Sequence, residues 1–153
     1  MKIHFASDHG GYELKETLKG YVTELGHEVV DHGTSSMEPC DYPDFITPCA
    51  EAVASDMLSF GIILGGSGQG EAMCANRTKG ARAVVYYGTA KSQVDSSGKT
   101  LNMIQSVREH NNANILSLGA RFISVDEAKD VVKTFIETPF SGDERHVRRL
   151  NKF

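Results

Sequence analysis

Three cysteines among 153 residues, none spaced Cys-x-x-Cys, leave little from which to build a structural zinc site or a disulfide framework. Cys40, Cys49 and Cys74 fit free thiols in a reducing cytosol, and a cytosolic protein is expected. No apolar run approaches the roughly 18 residues of a membrane span. Met1-Lys2-Ile3-His4-Phe5 passes straight into a strand-like pattern, so no signal peptide is expected either. Positive charge is also short: 16 Lys and Arg stand against 20 Asp and Glu, a formal charge of −4. That balance argues against a nucleic-acid coat or a polybasic membrane anchor. No repeat, low-complexity tract or composition shift marks a second domain, so residues 1–153 read as one domain with a substantial core.

Two familiar phosphate loops are absent as well. A dinucleotide fingerprint starting at Gly66 would need glycine or alanine where Glu71 stands, and one starting at Gly68 fails at Met73. Gly98-Lys99-Thr100 resembles the end of a Walker loop, but its first glycine would fall at Gln93 and no buried strand precedes it. A solvated turn is expected there.

What is present is Ile62-Ile63-Leu64-Gly65-Gly66-Ser67-Gly68-Gln69-Gly70-Glu71. A buried strand, a bare-backbone loop and a helix start leave several N–H groups aimed at one spot. Such a spot attracts a phosphate or an oxyanion that develops during a reaction. Glu71 would repel a bound phosphate, yet it is well placed to remove a proton from a carbon whose oxygen sits in the loop. An oxyanion hole beside a general base suggests enolisation. The residues alone leave open a helix-start glutamate stabilised by the dipole, and a loop that is only a tight turn.

Short apolar runs alternate with helical periodicity along the chain. Strands are expected at 3–6, 28–31, 60–64, 81–85 and 114–118. Leu14, Leu18, Tyr21, Val22 and Leu25 mark a helix that Gly26 ends. Residues 32–42 read as loop, and Tyr42-Pro43 opens a helix carrying Phe45, Ile46, Cys49 and Val53, which Pro48 should shorten or kink. A helix over 71–76 follows the glycine loop. Ser124-x-x-Glu127 reads as a capping box before Val125, Ala128, Val132, Phe135 and Ile136, and a last short helix follows Gly142. This order predicts an α/β fold, a three-layer α/β/α sandwich on a five-stranded, mostly parallel sheet. Ligands bind beyond the carboxyl ends of such strands, so the Asp8-His9-Gly10-Gly11 loop and the glycine loop should share one crevice.

Ser7-Asp8-His9-Gly10-Gly11, Asp41-Tyr42-Pro43, the 65–71 loop, Arg108-Glu109-His110-Asn111-Asn112-Ala113-Asn114 and Arg145-His146-Val147-Arg148-Arg149 together resemble the type B ribose-5-phosphate isomerases. Their wider family includes the galactose-6-phosphate isomerase subunits. The resemblance runs in order over nearly the whole chain. It implies a flavodoxin-like or Rossmann-like fold, a homodimer or tetramer with active sites between subunits, and aldose–ketose isomerisation of a sugar phosphate through an enediolate, without metal or cofactor.

The family places its base either in a cysteine just before the glycine loop or in a glutamate just after it. Here the first position is Gly65, so Glu71 is the implied base and Cys74 is expected in the core. By the same resemblance Gly66, Ser67, Gly68, Gln69 and Gly70 hold the enediolate oxygens, with the Ser67 hydroxyl assisting. His110 is the acid that opens the sugar ring, and Asn111 holds a hydroxyl. Asp8 and His9 contact sugar and phosphate, although alone they could form an ordinary Asx turn. Arg145 and Arg149, four apart on a short helix, would sit about 5–6 Å apart and could grip one phosphate; a solvated helix end would look similar. Arg121 is the implied third phosphate ligand, and Arg148 points elsewhere. His4, His27, His32 and His146 are expected to be structural or exposed. Residues 88–103 make the chain about a dozen residues longer than the family pattern and read as a surface loop or helix–turn. The leading expectation is interconversion of ribose 5-phosphate and ribulose 5-phosphate. Isomerisation of a tetrose or hexose phosphate such as galactose 6-phosphate, or phosphate-ligand binding without turnover, are the alternatives.

Overall fold

In the computed structural model, which describes residues 1–88, 93–94 and 98–152, the alternation of apolar runs and amphipathic stretches becomes alternating strands and helices. The order is β1 (Lys2–Ser7), α1 (Tyr12–Glu24), β2 (Glu28–Asp31), α2 (Pro43–Ser55), β3 (Phe60–Gly65), α3 (Gln69–Ala75) and β4 (Ala83–Tyr86). The two-residue strands β5 (Gln93–Val94) and β6 (Thr100–Leu101) follow, then α4 (Met103–Asn111), β7 (Ile115–Gly119), α5 (Val125–Glu137) and α6 (Glu144–Leu150). Five strands form one sheet in the order β2-β1-β3-β7-β4, and all four pairings are parallel. The expected three-layer class is therefore present. Relative to the flavodoxin strand order, the last two strands are interchanged.

Both faces of the sheet are covered, as an all-parallel sheet requires. On one face Ile3, Phe5, Ile62, Leu64, Leu116 and Leu118 pack against Leu14, Leu18 and Val22 of α1 and Val132 and Phe135 of α5. On the other, Ala6, Ile63 and Ile115 meet Ile46, Cys49, Ala50 and Val53 of α2 and Ala75 of α3. Cys74 is half-buried and packs against this second cluster, with Sγ 3.4 Å from Thr47 Oγ1. Lys15 is fully buried and clamps α1 onto the end of β2, its Nζ donating to both Asp31 oxygens at 2.6 and 2.7 Å.

Several local expectations need correcting. Pro48 does not shorten α2, which runs thirteen residues through it. Pro48 and Asp44, whose carbonyl loses its partner, are both exposed residues, so the missing bond falls on the outer side of the helix. Only half of the capping box at Ser124 forms: its side chain accepts from the Glu127 amide, but the Glu127 carboxylate accepts from the Tyr86 hydroxyl at 2.8 Å. Val125 is exposed rather than part of the core face.

The largest difference lies at 88–111. Residues 89–92 and 95–97 of the predicted surface segment lie outside the described residues. Around them β5 and β6 pair antiparallel, and Gly98 sits at φ +85° beside this hairpin. The Lys99 side chain donates to both Glu109 oxygens at 2.7 and 2.8 Å rather than only facing solvent. Asn102 and Gln105 then form a full capping box, which starts α4, a helix not among those expected from the sequence and the one that carries His110.

Candidate active site

β1 turns outward to β2 while β3 begins the other half of the sheet, which opens a crevice at their carboxyl ends. The two expected loops do meet there. A methyl group on Gly10 would lie 3.3 Å from the Gly66 amide nitrogen and from Asp8 Oδ1. Asp8 Oδ1 accepts the Gly11 amide at 2.9 Å, so the Asx turn is real and fixes the entry to α1. Nδ1 of His9 is buried and has no hydrogen-bond partner among the described residues. The Arg121 guanidinium lies over Gly66, 3.2 Å from where a Cβ would be. The Tyr42 ring stands 3.0 Å from where a Cβ on Gly70 would be.

The glycine loop is shaped by contacts from below. Gly68 has φ +76° and begins α3, a conformation that L side chains rarely adopt. Its carbonyl accepts the buried Ser117 hydroxyl at 2.6 Å. Ser67 is exposed and its Oγ accepts the Gln69 amide at 3.3 Å.

Glu71 is the unusual group. It is charged in water, yet only 3 % of it is exposed. Its carboxylate occupies the place of the missing Gly65 side chain: a Cβ there would lie 2.1 Å from Oε1 and 2.5 Å from Oε2. Burial pushes its pKa up, the backbone amides of Glu71 and Gly68 pull it back, and the Asp8 charge pushes it further up. A carboxylate with a raised pKa is a stronger base than one in water.

The other candidates are elsewhere. His110 and Asn111 end α4, before β7 begins. β7 runs parallel to β3, with Gly61 opposite Ile115 and Gly65 opposite Gly119. His110 therefore sits at the amino edge of the sheet, while Glu71 sits at the carboxyl edge. One strand length, roughly 13 Å at ~3.3 Å per residue, separates the edges. Helix α6 is at the amino edge too. The Ser141 amide donates to the Glu109 carbonyl at 3.1 Å, and the His146 ring stacks on His110 with centroids 4.4 Å apart and planes 13° apart. Arg145 is half-buried and Arg149 exposed, four residues apart on this helix. One chain thus brings together Asp8, His9, Gly66 to Gly70, Glu71 and Arg121. It brings His110, Asn111, Arg145 and Arg149 together separately.

Among the described residues no three His, Cys, Asp or Glu side chains are grouped to hold a metal ion, and no helix is long and apolar enough to cross a membrane. Residues 3–153 match the family described as Ribose/Galactose Isomerase. The chain belongs to the ribose/galactose isomerase family. It is 36 % identical over 152 residues to ribose-5-phosphate isomerase B of Mycolicibacterium paratuberculosis, covering 99 % of this chain and 88 % of that one. Among solved structures, ribose-5-phosphate isomerase B of Clostridium thermocellum superposes with a TM-score of 0.84 at 41 % identity, over 99 % of this chain and 94 % of the other. The enzyme of Mycoplasma genitalium with bound ribulose-5-phosphate gives 0.83 at 33 % identity, over 99 % and 92 %.

Within this isomerase family member, some residues that shape the site carry weak signals in the sequence. Ser117 interrupts the apolar run Ile115-Leu116-Ser117-Leu118, and a hydroxyl inside a buried strand calls for a partner. Gly119 lets the Ser67 carbonyl approach to 2.7 Å of where its Cβ would be. Arg108 is buried, stacks over Phe60 at 4.5 Å and donates to the Thr138 and Ala113 carbonyls, which anchors the end of α4. Burial, with Arg82 nearby, lowers its pKa to about 10.

Proposed function

We propose that this protein interconverts ribose 5-phosphate and ribulose 5-phosphate, with Glu71 as the base and His110 as the ring-opening acid, and with no metal or cofactor. The observation that carries the reading is the Glu71 carboxylate, buried in the space that Gly65 leaves open and flanked by a loop of backbone amides. A protein that only bound a phosphate would have no use for a buried negative charge at that spot.

In this mechanism His110 gives a proton to the ring oxygen as water takes the C1 hydroxyl proton, and the furanose opens to the aldehyde. Glu71 takes the C2 proton, and the electron pair moves to make the C1–C2 double bond and the C1 oxyanion. Amides of Gly66 to Gly70, with the Ser67 hydroxyl, hold the enediolate oxygens, each such donor being worth about 10²–10³ in rate. A proton passes from the C2 hydroxyl to the C1 oxygen, and Glu71 then returns its proton to C1 as the C2 oxygen's electron pair closes the C2=O bond, which leaves the ketose. Asn111, Asp8 and His9 hold the sugar, and Arg121, Arg145 and Arg149 take the phosphate.

The separation of the two groups of residues fits a site completed by a second copy of the chain, whose amino-edge group would face this chain's glycine loop. Exposed Met73 and Phe122, 65 % and 63 % accessible beside that loop, are side chains such a copy would cover. The deciding experiment is turnover on four-, five- and six-carbon aldose phosphates, with preference expected for ribose 5-phosphate. A preference for the six-carbon sugar would move the assignment to the galactose 6-phosphate side of the family, and no turnover on any would leave a binding protein. Exhaustive chelation with dialysis should not change the rate, and a loss restored by one divalent ion would overturn the reading in which protein groups alone stabilise the enediolate.

A further inference from the structure

The imidazole beneath His110 has no role in the reaction as written above. His146 is 4 % exposed, lies nearly parallel to the His110 ring at 4.4 Å, and its buried Nε2 has no hydrogen-bond partner among the described residues. We infer that His146 is a positioning residue for the ring-opening acid: its stacked ring sets the plane of His110 and ties that ring to the helix that carries Arg145 and Arg149. The inference rests on the isomerase reading.

The argument begins with what His146 is not. A histidine kept for hydrogen bonding would not leave a buried ring nitrogen unpaired, because a buried polar atom without a partner loses its hydration with nothing in return. The nearest ionic group that could engage it, Asp143, has Oδ2 3.8 Å from Nε2, too far for a hydrogen bond. What His146 does satisfy is a face-to-face contact with the one other imidazole of this region. The groups around it favour its neutral form. Burial lowers its pKa first, and His110 on α4 and Arg145 on its own helix act in the same direction. Asp143 opposes them and Arg149 adds to them. A neutral ring offers its π-face to the ring stacked on it, and the near-parallel contact at 4.4 Å holds the two planes together.

At the edge of the His110 ring, Ser106 Oγ of the same helix lies 3.4 Å from Nδ1. Ser106 and His146 together restrict the ring both in rotation and in tilt. Because α6 also carries the two arginines, a phosphate drawn onto that helix would arrive in fixed register with the acid. A general acid must lie within about 2.6–3.2 Å of the atom it protonates, so a small loss of register is costly.

The chemistry supplies a selective test. Ribose 5-phosphate is cyclic and must open before C2 can be deprotonated. Ribulose 5-phosphate has its C5 oxygen phosphorylated, so it cannot form the furanose and enters the site already open. His146→Ala should therefore lower turnover of ribose 5-phosphate by about tenfold, a fraction of the ~10²–10⁴ of a general acid. It should change deuterium exchange at C1 of ribulose 5-phosphate in heavy water by less than about twofold, since that step belongs to Glu71. His146→Phe keeps a stacking ring and should recover most of the lost turnover. The His110 ring protons, shielded by the stacked ring, should move downfield in His146→Ala and stay near their wild-type positions in His146→Phe. Equal loss in both reactions, no loss in either, or failure of Phe to rescue while the protein remains folded would overturn the positioning role. Failure of the wild-type protein to act on either sugar would remove the isomerase reading itself, which is a separable result.

Discussion

The carboxyl edge and the amino edge of the sheet are built from different materials. At the carboxyl edge the candidate parts are mainly backbone amides, glycines without room for a Cβ and one buried carboxylate, with the Asp8, His9 and Arg121 side chains around them. At the amino edge they are long side chains on the last turn of α4 and on a seven-residue helix, with Arg149 exposed. The first kind of site must be formed within one chain, because its geometry is the geometry of the sheet. The second kind presents charge at the end of flexible side chains and can be offered to another molecule. A phosphate grip and a deprotonation site have different tolerances, and in the proposed reading two of the three phosphate arginines, Arg145 and Arg149, lie on the edge opposite Glu71, while Arg121 lies beside it.

The largest effect expected from breaking the carboxyl-edge half is that of Glu71→Gln. Gln keeps the size and cannot accept the proton, so kcat should fall by about 10²–10⁴ with little change in KM. Exchange of substrate C2 hydrogen with heavy water should fall in parallel. Cys74→Ala, which alters only the packing against α2, should stay near wild type. Full exchange in Glu71→Gln with none in Cys74→Ala would reverse the assignment of the base.

Gly65→Ala probes the same half without replacing Glu71. The added methyl would lie 2.1 Å from Glu71 Oε1, so the carboxylate must leave its place. Displacement of a reacting group by an ångström can cost about 10²-fold, and a fall in kcat of about 10- to 100-fold is predicted. Gly20→Ala is the control, because a Cβ there meets nothing within 4 Å and an exposed helical glycine is less stable than alanine by about 0.5–1 kcal/mol. If Gly65→Ala were fully active, the overlap of the two side-chain positions would have no catalytic meaning.

How these edges read in the sequence follows from the same contrast. The backbone-built half was legible, because glycine clusters after an apolar run are local and the strand–loop–helix order follows from periodicity. Even the meeting of the Asp8 and Gly66 loops followed from parallel topology. The side-chain half was legible only as a set of residues. Their placement depends on α4, whose start is an Asn102–Gln105 capping box inside a polar stretch without an obvious apolar stripe. The stacking of His146 on His110 joins residues 36 positions apart across two helices, and periodicity carries no information about such a pair. The half-formed box at Ser124 shows the limit from the other side, since Glu127 fits the local motif and a tertiary partner, Tyr86, takes its carboxylate.

A smaller effect tests whether the halves of two chains meet. Arg149→Ala alone should weaken phosphate binding, by the roughly 1.5–3 kcal/mol of a hydrogen bond to a charged group. Mixing inactive Glu71→Gln chains with Arg149→Ala chains should then restore activity. With random exchange in a two-fold dimer half the dimers are mixed, and one of their two sites is intact, so recovery of about a quarter of wild-type activity is expected. Mixed dimers that form and stay inactive would mean that each chain works with its own arginines.

The smallest effect concerns stability and separates the burial of Glu71 from its chemistry. Its folded pKa is raised above the ordinary 4.5 by burial, against the pull of its own and Gly68's amides. Below the ordinary value the group is protonated whether the chain is folded or not, and burial costs nothing extra. As pH rises past it, the unfolded chain releases its proton first, so a destabilisation develops and is complete once pH passes the folded pKa. Glu71→Gln removes the charge and should be as stable as wild type at pH 4 and more stable at pH 8, read as a higher urea midpoint with an unchanged slope. The rate should move oppositely, with wild-type kcat/KM rising with pH across the same window as the base ionises. If the Gln variant were the less stable one at pH 8, the two amide bonds to the carboxylate would outweigh its desolvation. Glu71 would then be a structural anchor of the loop as much as its base, and the cradle at Gly65 would have to be explained by stability rather than by catalysis.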